Sequence, residues 1–416
     1  MLVFSSILVC FITLLGVKFE FDNKSPFVIF FLALILMSVF PTLNILFSFD
    51  GSEFKERTYI EANLFSSLFL GVLIFSRYFI VRLLGVNNIW VNFIKYSNDL
   101  KIKKNEILIL SFLLFLATFF FIKGLNIRNF SSLMSVNWWD VVNGGIWVII
   151  ATYICYVSSS ILIANYLYKS NRKIKSLIYV QILFFLIFCI FVLKTRSYIL
   201  MLLAPIFCYF MYTKKGIELI KPIFYLFLML FVFILARAVR HSSDLNEFLQ
   251  SDFLEGFELA SEGAENTLIN GFYYFVQNNN NFDGFENNNT LKRILLFVFP
   301  GLKPEEFSYI MHSAFYGSSP SERLSIHPTV YGDAYGNAWW FGAFIYSIFI
   351  AIYISFLELT AKFINKSSLY RLCVFSIICT CSLIFARGAI YNAFMYSFIP
   401  LCISFLIFSI FSRESK

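Results

Sequence analysis

Residues 26–48 read PFVIFFLALILMSVFPTLNILFS, a run of 23 residues without a charged side chain. The hydrocarbon core of a bilayer is about 30 Å thick, and an α-helix needs roughly 20 apolar residues to cross it. This stretch therefore predicts a membrane-spanning helix. Ten other apolar runs of similar length predict further helices, and the complete set lies at about 3–17, 26–48, 63–83, 105–125, 143–168, 177–193, 198–212, 222–238, 337–359, 371–386 and 393–411.

The composition of the chain indicates the same class of protein. Of the 416 residues, 59% are apolar and 14% are charged, and the mean hydropathy is +0.74. A soluble domain is about 45–50% apolar and about 25% charged, so a soluble enzyme and a disordered chain are excluded. The charge is too sparse and dispersed for a nucleic-acid-binding module. We predict an all-α polytopic membrane protein with about 11 transmembrane helices, within a range of 10–12.

Lysine and arginine predict the orientation, because cytoplasmic loops of membrane proteins carry an excess of both. With the N-terminus outside, the cytoplasmic loops hold 19 of these residues and the short outer loops hold seven. The opposite orientation reverses the bias. We therefore expect a multi-pass protein of the cytoplasmic (inner) membrane, with its N-terminus outside and its C-terminus in the cytoplasm. The net charge of +8 then reflects topology rather than a partner.

One loop is far longer than the others. It divides the chain into transmembrane helices 1–8 (residues 1–236), an extracytoplasmic loop (237–336) and helices 9–11 (337–416). The loop contains 13 of the 25 acidic residues and all three histidines. Its hydrophobic pattern predicts an amphipathic helix over 244–258 and short helices over 267–277 and 291–299. Because loops of this length are usually functional, we expect the chemistry here.

Arginines at the predicted outer membrane face run against the charge bias. Arg196 lies in the turn between helices 6 and 7, Arg237 and Arg240 share one face at the end of helix 8, and Arg387 lies between helices 10 and 11. Guanidinium groups bind phosphate oxygens in a bidentate manner, so the four could surround a lipid-linked diphosphate. The alternative is that each contacts lipid headgroups or pairs with an acid of the loop.

The end of the long loop offers two candidate bases. Residues 327–337 read HPTVYGDAYGN, in which His327 has an ordinary pKa suited to a general base and Asp333 is a second candidate. A lone histidine is more often structural, and His241 and His312 compete for the role. Asp333 could equally orient an acceptor hydroxyl or cap a helix.

Aromatic residues of the same segment are candidates for stacking on sugar rings. They are Tyr331, Tyr335 and Trp339, which also suit the aromatic belt at a membrane interface. Nothing in a single sequence separates the two uses.

Other classes of membrane protein find little support. Arg77 is the clear charged residue inside a span, whereas ion-coupled transporters usually keep ionisable relays near the midplane. The sequence has no nucleotide-binding P-loop, GxSxG or HExxH pattern and no spacing typical of metal ligands. We therefore predict neither a metal nor a cofactor.

The chain resembles the bacterial O-antigen and capsule repeat-unit polymerases of the Wzy type. The resemblance rests on the large late loop, on Arg196, on the pair Arg237 and Arg240, and on residues 328–337 (PTVYGDAYGN) followed by Phe341-Gly342. The related O-antigen ligases have a histidine before a glycine-containing helix start, which His327 matches. In these families aspartate or glutamate occurs at the position of Asp333.

The resemblance implies a metal-independent membrane glycosyltransferase of GT-C-like fold, active in lipopolysaccharide or capsule synthesis. It would transfer a growing glycan from undecaprenyl diphosphate to the non-reducing-end sugar of a new lipid-linked unit at the outer face of the membrane. Its partners would be those lipid-linked oligosaccharides and membrane lipids, with a chain-length regulator protein as an open question and no nucleic acid.

Three alternatives remain open from the sequence. An O-antigen ligase would use the same donor with a different acceptor. A metal-dependent GT-C transferase using polyprenyl-phosphate sugars would need acids in its first outer loop, where Asp50, Glu53 and Glu56 lie. A lipid-linked oligosaccharide flippase would need basic residues lining a cavity within its spans.

Overall fold

The computed structural model describes residues 1–47, 53–85, 89–90, 104–127, 145–167, 172–193, 196–241, 265–279, 288–319, 324–363 and 368–413. The regular structure of these residues is entirely helical. The α-helices are α1 (Leu2–Asp22), α2 (Val28–Leu34), α3 (Phe40–Phe47), α4 (Glu56–Leu83), α5 (Lys104–Gly124), α6 (Ile146–Leu167), α7 (Arg172–Phe191), α8 (Arg196–Thr213), α9 (Ile220–His241), α10 (Glu265–Gln277), α11 (Asn289–Leu295), α12 (Phe307–Tyr316), α13 (Thr329–Ala338), α14 (Gly342–Phe363), α15 (Ser368–Arg387) and α16 (Ile390–Arg413).

Helices lie over all of the apolar runs identified in the sequence. The run at 26–48 forms α2 and α3, which a π-helical turn (Ile35–Val39) joins into one continuous helix. Within the described part of the chain, seven helical segments are long and apolar enough to cross a membrane: Leu2–Asp22, Val28–Phe47, Glu56–Leu83, Ile146–Leu167, Thr329–Lys362, Leu369–Arg387 and Ile390–Ser409. The chain is therefore a helical membrane protein.

The chain forms two compact units. The first comprises Met1–Asn88, Gly263–Leu359 and Cys381–Met395, and the second comprises Ile89–Glu262, Thr360–Thr380 and Tyr396–Lys416. The three-segment division of the sequence analysis follows chain order and stays a prediction. Helix α10 from the long loop packs on α4, with the rings of Tyr273 and Tyr59 4.8 Å apart.

In the second unit, aromatic side chains join the membrane helices. The rings of Phe120 in α5 and Trp147 in α6 stack at 5.5 Å, and Tyr156 of α6 stacks on Tyr396 of α16 at 4.7 Å. Thr152 hydrogen-bonds the hydroxyl of Tyr198 in α8 at 2.9 Å. The spans are therefore joined by ring packing together with hydroxyl contacts.

In the first unit, α1 and α4 run parallel. Asn63 of α4 donates to the hydroxyl of Ser6 at 3.1 Å near the start of both helices, and Arg77 reaches Glu20 near their ends. Helix α14 runs in the same direction, because Trp340 just before it lies 5.7 Å from Phe65 near the start of α4, and Glu358 near its end contacts Arg77. Parallel neighbours are expected when an odd number of spans lies between them in the chain.

Arg77 is the centre of a buried ionic cluster. Its Nε and Nη2 donate to the two oxygens of Glu20 at 3.0 Å each, and its Nη1 and Nη2 donate to Glu358 at 2.9 and 3.2 Å. Nη1 also donates to Ser355 at 2.7 Å, and Ser25 donates to Glu358 at 2.8 Å. Arg77 is 1% exposed. Every guanidinium nitrogen is thus paired, as burial of a charge requires.

The long loop is partly helical, as expected, but its helices differ in detail. Helix α10 confirms the helix expected over 267–277, and α11 covers the first part of the one expected over 291–299. The region expected to form a helix over 244–258 lies outside the described residues. Helices α12 and α13 have no counterpart in the sequence predictions.

Helix 9 was predicted to begin near residue 337. Instead α13 ends at Ala338, a 3₁₀ turn (Trp339–Phe341) follows, and α14 begins at Gly342. Trp339 has a positive φ of 51°, which interrupts the helical geometry between α13 and α14. The predicted span therefore merged the end of one helix with the start of another.

Candidate functional site

Helix α13 forms from the segment that the sequence analysis singled out. Glycine is unfavourable inside a helix, so a glycine at position 332 of α13 indicates close packing at that point. A Cβ atom added to Gly332 would lie 2.7 Å from the Cβ atom of Pro328 and 3.0 Å from that of Phe272 in α10. Gly332 therefore allows α10 and α13 to approach closely.

The turn between α15 and α16 packs on the start of α13. Gly388 in this turn has a φ of 90°, which favours glycine, and a Cβ atom there would lie 2.1 Å from the carbonyl oxygen of Thr329. The backbone N–H of Ile390, the first residue of α16, donates to Oδ2 of Asp333 at 2.9 Å. The loop-closing segment thus holds the turn that carries Arg387.

Asp333 is surrounded by hydrogen-bond donors. Besides the Ile390 amide at Oδ2, its Oδ1 accepts from Nδ2 of Asn337 at 2.8 Å and from the hydroxyl of Thr290 at 3.4 Å. The Thr290 amide in turn donates to Oδ1 of Asn337 at 2.9 Å. Asp333 is 3% exposed. It joins α11, α13 and α16, and its contact with the Ile390 amide at the start of α16 fits the helix-capping alternative raised from the sequence. A role as base stays a prediction.

His327 precedes α13 and differs from Asp333 in its hydrogen bonding. Its Nδ1 atom is buried and has no hydrogen-bond partner within the described residues. The pKa of the imidazole is lowered to about 3, first by burial and then by the positive charge of Arg387, against an opposing interaction with the backbone of Gly388. The side chain is therefore neutral at pH 7 and has a lone pair able to accept a proton.

A small cavity lies beside His327. About 10 Å³ of it is open to a water molecule, which is room for about one water. Its polar and charged walls come from four helices (α11, α12, α13 and α16) and from the segments before α12 and α13, all in the first unit: Thr290, Arg293, Glu306, Ser308, His327, Asp333, Tyr391 and Asn392. The cavity is therefore built around the candidate base.

Six of these wall residues were not identified from the sequence: Thr290, Arg293, Glu306, Ser308, Tyr391 and Asn392. The amide of Asn392 donates to Oε1 of Glu306 at 3.3 Å, and Arg293 lies over the ring of Tyr391 at 4.6 Å. The residues of these two contacts lie in α11, in the segment before α12, and in α16. No spacing in the sequence relates the three elements, so only the fold shows that they are close together.

Of the four predicted diphosphate-binding arginines, Arg387 is placed near the cavity. It ends α15, it is exposed, and its charge acts on His327. Arg196 is the first residue of α8, and Arg237 and Arg240 lie in the last turns of α9. The side chains of these three lie outside the described part of the chain, so a four-arginine cluster stays a prediction.

The predicted sugar-stacking residues divide into two groups. Tyr331 and Tyr335 are buried, with their rings 5.6 Å from Phe69 and 5.1 Å from Phe65 respectively, so their faces are not open to a sugar. We correct their predicted role to core packing between α4 and α13. Trp339 is 47% exposed and stays a candidate for stacking.

The described residues include no group of three or more histidine, cysteine, aspartate or glutamate side chains arranged to hold a metal ion. Of the three acids of the first outer loop, Asp50 lies outside those residues, and Glu53 accepts from Asn270 at 3.2 Å.

Comparison of the chain with protein-family models, curated proteins and solved structures finds no match.

Proposed function

We propose that this protein polymerises lipid-linked oligosaccharide repeat units at the outer face of the cytoplasmic membrane. It would transfer the growing glycan from undecaprenyl diphosphate to the non-reducing-end sugar of a new lipid-linked unit. The observation that carries the proposal is that His327, at the closing end of the long loop, lines one cavity with Gly388, the neighbour of the exposed Arg387. Nδ1 of His327 is buried and has no partner among the described residues.

The proposed step uses these two side chains in different ways. The acceptor hydroxyl oxygen attacks the anomeric carbon of the donor glycan, and a new C–O bond forms. The bond from that carbon to the diphosphate oxygen breaks, and the diphosphate leaves with the bonding electrons. The hydroxyl proton passes to Nδ1 of His327, and Arg387 stabilises the charge of the leaving diphosphate.

The low basicity of His327 fits a site that acts only when the donor is bound. Burial, and after it the charge of Arg387, lowers the pKa of His327. A diphosphate beside Arg387 would neutralise that charge, so the base would become stronger when the leaving group is in place. Arg196, Arg237 and Arg240 would add positive charge if the predicted topology brings them to the same membrane face.

Arg77 argues against the flippase alternative. A flippase needs basic groups that can contact a lipid-linked diphosphate inside the membrane. Arg77 is the clear arginine within a predicted span, and its donors are all taken by Glu20, Glu358 and Ser355. It has no free donor for a substrate.

The first test is deletion of the gene in its host, followed by separation of surface and lipid-linked glycans by size. Single repeat units at the surface without a ladder above them would support a polymerase. Full-length polymer retained on the carrier lipid would instead indicate a ligase, and single units trapped at the inner leaflet a flippase. An unchanged ladder would contradict all three.

Complementation of the deletion strain then tests the two side chains. We expect Arg387→Ala and His327→Gln to abolish the ladder at normal protein levels. Matched controls are Arg57→Ala, an exposed arginine paired with Glu61, and His312→Gln, whose Nδ1 contacts Ser318 at 2.6 Å. Full ladders from both test variants would refute the proposed site.

A further inference from the structure

The cavity beside His327 has a size that selects among possible occupants. With about 10 Å³ open to a water molecule, it holds about one oxygen atom with its hydrogens. A phosphate group, with four oxygens around phosphorus, exceeds this space, whereas a single hydroxyl group fits. The size therefore points to a hydroxyl and away from the diphosphate.

The charges of the wall support the same choice. The wall contains one arginine, Arg293, and two acids, Glu306 and Asp333, while His327 is neutral at pH 7. A site for a polyanion is expected to carry an excess of positive charge, which this wall lacks. A mixture of donors and acceptors suits a neutral hydroxyl, which both donates and accepts hydrogen bonds.

Two polar atoms of the wall are ready to bind such a group. The Nε–H group of Arg293, like Nδ1 of His327, is buried without a hydrogen-bond partner in the regions that the structure describes. Nε can only donate, and Nδ1 of the neutral imidazole can accept. One hydroxyl between them would satisfy both, because its oxygen accepts from Nε and its hydrogen points to Nδ1.

The surrounding contacts hold the arginine in place. Nη1 of Arg293 donates to the carbonyl oxygen of Pro304, its plane lies over the ring of Tyr391, and Nη2 is 3.7 Å from Oε2 of Glu306. Glu306 is fixed in turn by Ser308, which donates to Oε1 at 2.9 Å. Nε is thus the donor of Arg293 left available to a ligand, and its position is fixed before the ligand arrives.

We propose that this cavity receives one hydroxyl group of the acceptor sugar, bound by Nε of Arg293 and directed at Nδ1 of His327. The inference rests on the proposed polymerase function and adds the acceptor subsite to it. Arg293 and Glu306 are positioning residues for the acceptor, and the diphosphate binds outside the cavity, on the side of the exposed Arg387.

The test uses the full-length protein in lipid nanodiscs. Lipid-linked repeat units extracted from the deletion strain serve as the donor, and the same oligosaccharide released from its lipid serves as the variable acceptor. We expect Arg293→Gln and Arg293→Lys to raise the KM for acceptor about tenfold, the effect typical of losing one hydrogen bond from a charged donor. Glu306→Gln should raise it less, because it only loosens Arg293.

Matched controls lie next to each residue. Lys292 and Glu305 are exposed neighbours that do not line the cavity, so Lys292→Gln and Glu305→Gln should leave the KM unchanged. Arg293→Lys keeps the charge, so it separates loss of Nε from loss of charge. Inorganic pyrophosphate serves as the probe of the leaving-group site, and its inhibition constant should rise in Arg387→Ala but not in either Arg293 variant.

The possible failures are distinguishable. If the wild-type protein forms no polymer, the proposed function fails and the acceptor subsite fails with it. If the wild type forms polymer but Arg293→Lys keeps the wild-type KM for acceptor, the subsite is refuted while the function stands. A raised inhibition constant for pyrophosphate in the Arg293 variants would assign the cavity to the anion and also refute the subsite.

Discussion

The first unit contains two buried polar clusters that differ in how completely their groups are paired. Around Arg77, every nitrogen of the guanidinium donates to Glu20, Glu358 or Ser355. Around the cavity, Nε of Arg293 and Nδ1 of His327 are buried without partners within the described residues. Both clusters join helices that are distant in the sequence.

The difference indicates different roles. A buried charge is tolerated only when paired, so the Arg77 cluster is complete as it stands and fixes three parallel helices. An unpaired buried polar atom costs free energy unless something fills the site. The two unpaired atoms of the cavity are available to a ligand, so we propose a structural role for the first cluster and a chemical role for the second.

The largest effect on stability should come from Arg77→Met. Removing the guanidinium leaves two buried carboxylates uncompensated, which should cost about 3–5 kcal/mol of the free energy of unfolding. The triple variant Arg77→Met, Glu20→Gln, Glu358→Gln removes all the charges and should recover much of the loss. Thermal unfolding in nanodiscs measures both, and a single variant as stable as the wild type would contradict the structural role.

A smaller loss in the free energy of unfolding is expected from Gly388→Ala. The methyl group would overlap the backbone of Thr329. Alanine also disfavours a φ of 90°, and this backbone strain should cost about 1–3 kcal/mol. Because the turn carries Arg387, polymer formation should also be lost. Gly301→Ala is the control, since no atom lies within 4 Å of the added methyl group. Equal behaviour of the two variants would show that the turn is not fixed by α13.

Asp333→Ala should cost about 1–3 kcal/mol, because it leaves the Ile390 amide and its other donors without an acceptor. Asp333→Asn keeps one acceptor oxygen and should be intermediate in melting temperature. We expect Asp333→Asn to retain polymer formation. Loss of polymer at unchanged stability would instead make Asp333 the base and contradict our assignment to His327.

The prediction with the smallest effect on stability at neutral pH concerns the titration of His327. Its pKa in the folded protein is about 3, below the ordinary value of 6.5, so the unfolded chain takes up the proton first. This contribution to stability is complete above about pH 6.5 and is lost as the pH falls toward 3. The unfolding midpoint of the wild type should therefore fall relative to that of His327→Gln as the pH decreases between these values.

Arg387, Arg293, Asp333 and Glu306 surround the imidazole, and they are the same in both proteins of this pH comparison. Parallel stability curves for the two proteins would contradict the buried, neutral imidazole.

Much of the fold could be predicted from the sequence because the membrane imposes helix lengths directly. The apolar runs became helices, and the helical spacing at 267–277 became α10. The boundary near residue 337 was predicted wrongly, since the positive φ of Trp339 that separates α13 from α14 has no signal in hydrophobicity.

The candidate site was only partly accessible to the same reasoning. His327 and Asp333 were identified because they lie in one short motif, and Arg387 because its charge opposes the topology. Arg293 and Glu306 were not identified, because their proximity depends on how α11 and α16 pack with the segment before α12. Tyr331 and Tyr335 were misassigned because an aromatic residue near a predicted interface can face either a ligand or the core.

The most direct test of the account is polymer formation by purified protein in nanodiscs supplied with lipid-linked repeat units, for wild type, His327→Gln and His312→Gln. We predict a ladder from the wild type and from His312→Gln, and single units alone from a His327→Gln protein that melts at the wild-type temperature. A full ladder from His327→Gln would contradict the assignment of the cavity as the site of chemistry.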